Sequence, residues 1–61
     1  MTEFHHEITH RAVRAVQSLR AAEESGDDYL VSVQQAELEN LARLAAEQGL
    51  RVPELSDYSA A

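Results

Sequence analysis

Two helical patterns meet at residues 22–30, AEESGDDYL, and this junction decides the fold. Gly26 stands just after the last periodic residue of the first pattern, where a left-handed glycine commonly ends a helix. One of the two aspartates that follow it is placed to cap a second helix. A connection this short forces successive helices to run antiparallel. The sequence therefore predicts an all-α fold, an antiparallel two-helix hairpin with helices over residues 3–24 and 29–48.

Both patterns place apolar side chains three and four residues apart, which is the spacing of one face of an α-helix. The second pattern ends at Gly49, where Leu50 is expected to fold back on the last helical turn. We expect the apolar stripes to make the contacts within the hairpin and with any partner, because no other force is available to this chain in quantity. The residues assigned to these contacts are Phe4, Ile8, Ala12, Ala15, Leu19, Leu30, Val33, Leu38, Leu41 and Leu44.

The start of the second helix has two interpretations. In the favoured one, an aspartate at 27 or 28 caps the helix, and residues 29–33 are helical. In the other, Ser32 is the cap, and Gln35 completes a capping box. Residues 29–33 then form a short strand, which their aromatic and β-branched content permits.

With a strand at 29–33 and a helix at 35–48, this half of the chain resembles the ribbon–helix–helix repressors. The resemblance implies a dimer whose paired strands enter the major groove of DNA. The side chains that would face the groove are Leu30, Ser32 and Gln34, none of which is basic. Phosphate contacts and base reading depend largely on Arg and Lys. A dimeric DNA-binding regulator is therefore the alternative function, and nucleic acid is not the expected partner.

The chain is too short to be stabilised amply by a core of its own. It has 61 residues and no cysteine, and a lone core in a domain below roughly 70–80 residues rarely supplies more than about 3–5 kcal/mol. A two-helix hairpin also leaves one side of its stripes in water. We therefore expect one of two arrangements. Either two copies of the chain form a homodimeric four-helix bundle, or the hairpin docks onto the helices of another protein. The predicted function is that of a small interaction module.

Residues 1–50 are expected to form the hairpin, followed by a tail over residues 51–61. Pro53 disfavours a helical conformation at the residue before it. The sequence predicts a short extended tail that packs in part against the hairpin and is frayed from residue 56 onward.

Composition excludes several classes of function. The net charge is −6, lysine is absent and alanine occurs ten times, which suggests the codon usage of a GC-rich bacterial genome. No stretch has the apolar length of a transmembrane helix or the order of a signal peptide, so a cytoplasmic location is expected. Binding to a membrane surface would need a basic polar face. The chain has the opposite charge.

Neither catalysis nor a cofactor is expected from the residue types present. No serine lies in a recognisable nucleophile motif, and two helices offer no concave pocket for a small substrate. Glu3, His6 and His10 share one polar helix face and form a weak metal candidate. A structural zinc requires four ligands, and the sequence supplies no evident fourth.

Overall fold

A computed structural model describes residues 3–58, which contain two long helices and one short one. Helix α1 spans Glu3–Ser25, helix α2 spans Asp28–Glu47, and a 3₁₀ helix spans Pro53–Tyr58. The two long helices pack against each other as a hairpin, and each of their ends lies within one residue of its predicted position. The all-helical hairpin is confirmed.

The connection between the helices shows why α2 begins where it does. Gly26 has a φ of 72°, in the left-handed region that glycine tolerates. The side chain of Asp27 accepts a hydrogen bond from the backbone N–H of Leu30 at 3.0 Å, which makes Asp27 the N-cap. Residues 29–33 are therefore helical, as the favoured interpretation predicted. The strand that the ribbon–helix–helix resemblance requires is absent from the part of the chain that the structure describes.

Helix α2 ends as predicted before Gly49, with Leu50 folded back on the last turn in a Schellman motif. The backbone N–H of Leu50 donates to the carbonyl of Ala45 at 2.8 Å, and that of Gly49 donates to Ala46 at 3.1 Å. Gly49 has a φ of 67°. These bonds satisfy carbonyls that the helix end would otherwise leave unpaired.

The core lies along the seam between α1 and α2. Leu38 and Leu41 have no exposed surface, and Ile8 has almost none. Alanines on the facing sides let the helices approach closely, because the distance between packed helices depends on the side chains at the contact. The buried residues of the core are Ile8, Ala12, Ala15, Leu19, Leu38, Leu41, Ala42, Ala45, Val52 and Leu55.

The C-terminal segment, residues 51–58, departs from the predicted tail. From Pro53 to Tyr58 it is a 3₁₀ helix rather than an extended or frayed chain. Leu55 is 3% exposed, Val52 is also buried, and Tyr58 packs half-buried against the core. The expected fraying was wrong for residues 56–58. Residues 59–61 lie outside the described part of the chain.

The physical reason for this difference is a spacing of three residues. Val52, Leu55 and Tyr58 stand at i, i+3 and i+6, and side chains three apart eclipse one another in a 3₁₀ helix. Pro53 does not oppose this, because proline is tolerated in the first turn of a helix. A nitrogen of the His5 ring also lies 3.2 Å from the carbonyl oxygen of Arg51, where it contacts the start of the segment.

The C-terminal segment changes the expected packing of the hairpin. One side of the apolar seam, which was expected to stay exposed to solvent, is covered by residues of the same chain.

Among residues 3–58, no helix combines the length and the apolar character that crossing a bilayer requires.

Candidate protein-interaction surface

The hairpin has two faces, and the C-terminal segment lies on only one of them. A cleft between α1 and this segment is bordered by Val16, Arg20 and Tyr58. A second cleft, between α2 and the same segment, is bordered by Ala42, Arg43 and Tyr58. We call this side of the hairpin the covered face.

The opposite side carries a shallow groove between the two long helices. Its walls are Arg11, Arg14 and Ser18 from α1, and Gln34 and Glu37 from α2. Shallow depressions continue this surface along α1 and along α2. We call this surface the open face. Residues that line its groove and depressions include Phe4, Glu7, His10, Arg11, Arg14, Ser18, Val33, Gln34 and Glu37, and Leu30 and Leu44 lie on the same side of α2 by helical angle.

Four large apolar side chains on the open face are incompletely buried. Phe4 and Val33 are each 41% exposed, and Leu30 and Leu44 are half-buried. At 3.6 residues per turn, Leu30, Val33 and Leu44 fall about 80–140° from the buried Leu38, on the side away from the C-terminal segment. These side chains lie at the edge of the apolar stripe of α2, where α1 does not cover them completely.

The middle of the open face is charged, with opposite signs on its two helices. The guanidinium of Arg11 donates to the Glu37 carboxylate at 3.0 Å, which links α1 to α2 across the groove. Arg14 and His10 stand on the same side of the groove as Arg11. The α1 half of this groove therefore carries the basic groups, and the α2 half carries a carboxylate.

The predicted contact residues divide into two groups in the structure. Six of them are buried within the chain's own core, namely Ile8, Ala12, Ala15, Leu19, Leu38 and Leu41. The other four, Phe4, Leu30, Val33 and Leu44, keep surface on the open face. The first group packs inside the chain, whereas the second group keeps exposed surface, although Leu44 also packs in part against the core.

The tail was expected to pack in part against the hairpin, and its residues Val52 and Leu55 lie in the core. Their three-residue spacing is that of a 3₁₀ helix. Sequence reasoning missed the residues that meet across the two long helices. Arg14 and Glu37 border the open groove, but helical periodicity within one segment does not reveal which residues of two helices meet. Tyr29 is 80% exposed beside the helix connection.

The weak metal candidate gains no support from the structure. Glu3, His6 and His10 all border one shallow depression on α1. Within residues 3–58, however, no group of three or more His, Asp or Glu side chains is arranged to hold a metal ion.

Comparison with known proteins does not assign the chain to a family. It matches no protein-family model, and neither the curated proteins nor the solved structures give a significant match.

Proposed function

We propose that this protein is a non-enzymatic interaction module that associates with a second copy of itself through the open face. The observation that carries the proposal is the difference in apolar exposure between the two faces. The chain covers one face with its own C-terminal segment, and it leaves Phe4 and Val33 each 41% exposed on the other.

The energetic argument rests on apolar surface and size. Burial of apolar surface contributes roughly 25 cal/mol per Å², and a second helical hairpin on the open face would bury Phe4, Leu30, Val33 and Leu44 further. The molecule measures only 14 Å along its thinnest dimension. Two such hairpins stacked face to face would form a four-helix bundle, with the C-terminal segments on its outer surfaces.

The polar groups of the open face are accessible to a partner. None of the polar or charged side chains within residues 3–58 is buried. We place this association in the cytoplasm, the location that the sequence favours.

Sedimentation equilibrium on the full chain tests the proposal. The expected result is a mass of twice 6.8 kDa at micromolar concentrations, with dissociation on dilution. A monomer of 6.8 kDa throughout the micromolar range would contradict self-association.

A matched pair of variants locates the surface. Val33→Glu places a charge among the exposed apolar residues of the open face, and we expect it to shift the chain towards monomer. Ser32→Glu adds the same charge at the neighbouring exposed position, about 100° away around α2 and towards the covered face. We expect this control to associate like the unaltered chain.

A further inference from the structure

The charges at the centre of the open face, where Arg14 and Glu37 border one groove, favour one orientation of the dimer over another. We propose that the second copy docks with its α1 antiparallel to α2 of the first, so that Arg14 of each chain pairs with Glu37 of the other. The two-fold axis then runs parallel to the helices. This inference rests on the proposed self-association.

The positions of the two charged residues in their helices support it. Arg14 is the central residue of α1, which spans Glu3–Ser25, and Glu37 lies at the centre of α2, which spans Asp28–Glu47. Both side chains border the same groove. Any two-fold axis that centres one hairpin on another therefore brings these residues to the middle of the interface.

Two such axes exist for hairpins stacked face to face, since most oligomers of identical chains have closed symmetry. An axis perpendicular to the helices places α1 on α1 and α2 on α2. Arg14 then meets Arg14 of the second copy, and Glu37 meets Glu37. Like charges brought together in an interface oppose association.

An axis parallel to the helices has the opposite result. It places α1 of each chain over α2 of the other, and it leaves the position of each residue along the bundle axis unchanged. Two residues at the same position along this axis within one chain therefore also match in position between the two chains. Arg14 faces Glu37 of the second copy twice in the dimer, and both contacts are attractive.

The existing ion pair leaves Glu37 able to accept this second arginine. Arg11 contacts only Oε2 of Glu37 among the described atoms, and a carboxylate has about four lone-pair sites on its two oxygens. Arg14, in contrast, makes no ion pair with any residue of the range 3–58. Each carboxylate would be held by one arginine from its own chain and one from the second copy.

Charge reversal tests the orientation. Arg14→Glu alone and Glu37→Arg alone each produce two like-charge contacts, and we expect each to raise the dimer dissociation constant by about tenfold or more. An equimolar mixture of the two variants restores opposite charges at both contacts. The expected result is a heterodimer that is tighter than either homodimer.

The matched controls reverse charges elsewhere on the same helices. Arg20→Glu changes α1, and Glu39→Arg changes α2, both at exposed positions away from the open face. We expect neither to alter the dissociation constant by more than a small factor. Arg11→Gln controls for the loss of the internal pair in Glu37→Arg, and circular dichroism checks that every variant retains its helices.

Disulfide trapping supplies an independent measurement, because the chain has no cysteine of its own. Ser18 and Gln34 border the same groove and lie on different chains across the proposed interface. When Ser18→Cys and Gln34→Cys chains are mixed and oxidised, we expect the mixed disulfide to exceed the two like-with-like products. A mixed disulfide no more abundant than the two like-with-like products together would overturn the orientation.

The outcomes separate the two proposals. A dimer whose dissociation constant is unchanged by Arg14→Glu and by Glu37→Arg contradicts the orientation and leaves self-association standing. A monomeric unaltered chain contradicts both, and directs attention to a different helical protein as the occupant of the open face.

Discussion

The Arg11 guanidinium lies 3.0 Å from the Glu37 carboxylate, joining residues that are 26 positions apart in the sequence. This ion pair crosses from α1 to α2 on the face that the C-terminal segment does not cover. Its side chains are 52% and 34% exposed. Solvent screens the attraction between groups this accessible, so the pair contributes little to folding.

We therefore expect Arg11→Gln to change the free energy of unfolding by less than about 1 kcal/mol. Urea denaturation followed by circular dichroism measures this change. The experiment is best done at a concentration where the chain is monomeric, so that folding and association are not mixed. A loss of several kcal/mol would mean that the pair is far less solvated than the structure shows.

Leu41→Ala is expected to have a much larger effect. Leu41 has no exposed surface, and truncation of a buried leucine costs about 2–5 kcal/mol through lost burial and the cavity left behind. That loss is comparable to the whole stability of about 3–5 kcal/mol expected of a domain this small. The variant should show little helical circular dichroism at 25 °C. Tyr29→Ala, at a position that is 80% exposed, should leave the melting temperature almost unchanged.

Asp27→Ala tests the start of α2. The substitution removes the side-chain oxygen that accepts the Leu30 N–H, and loss of such a cap costs about 1 kcal/mol. In a domain of this size, a loss of 1 kcal/mol lowers the melting temperature by about 4–8 °C. Ser32→Ala is the control, since Ser32 was the alternative cap and lies inside α2. A larger loss of stability for Ser32→Ala than for Asp27→Ala would show that Ser32, and not Asp27, is the N-cap of α2.

Leu55→Ala tests whether the C-terminal segment belongs to the fold. Leu55 is 3% exposed and packs in the same core as the two helices, so the expected cost is again about 2–5 kcal/mol. Thermal denaturation of this variant, compared with Ser56→Ala at the exposed neighbouring position, measures it. Equal melting temperatures for the two variants would show that the segment is not needed for stability.

Local signals predicted the hairpin well because its boundaries are set by neighbouring residues. Gly26 and Gly49 end the helices through their own φ values, and Asp27 caps α2 through a bond to a residue three positions away. A helix was the favoured prediction for residues 29–33, with a strand as the alternative, since their composition permits both. The packed structure is helical there, so that Val31 contacts the core and Leu30 keeps surface on the open face.

The sequence by itself determined the two helices, their antiparallel connection and the apolar stripes from which the seam is drawn, because these follow from periodicity, capping and the length of the turn. Only the tertiary structure decided which face of the hairpin remains open. The spacing of the apolar residues in 52–58 indicates a face that can pack, but it does not indicate which side of the hairpin receives that face. The same packing separated buried Ile8 and Leu38 from exposed Phe4 and Val33. It also brought Arg14 and Glu37 to one groove, because two helices define a shared surface only after they are packed.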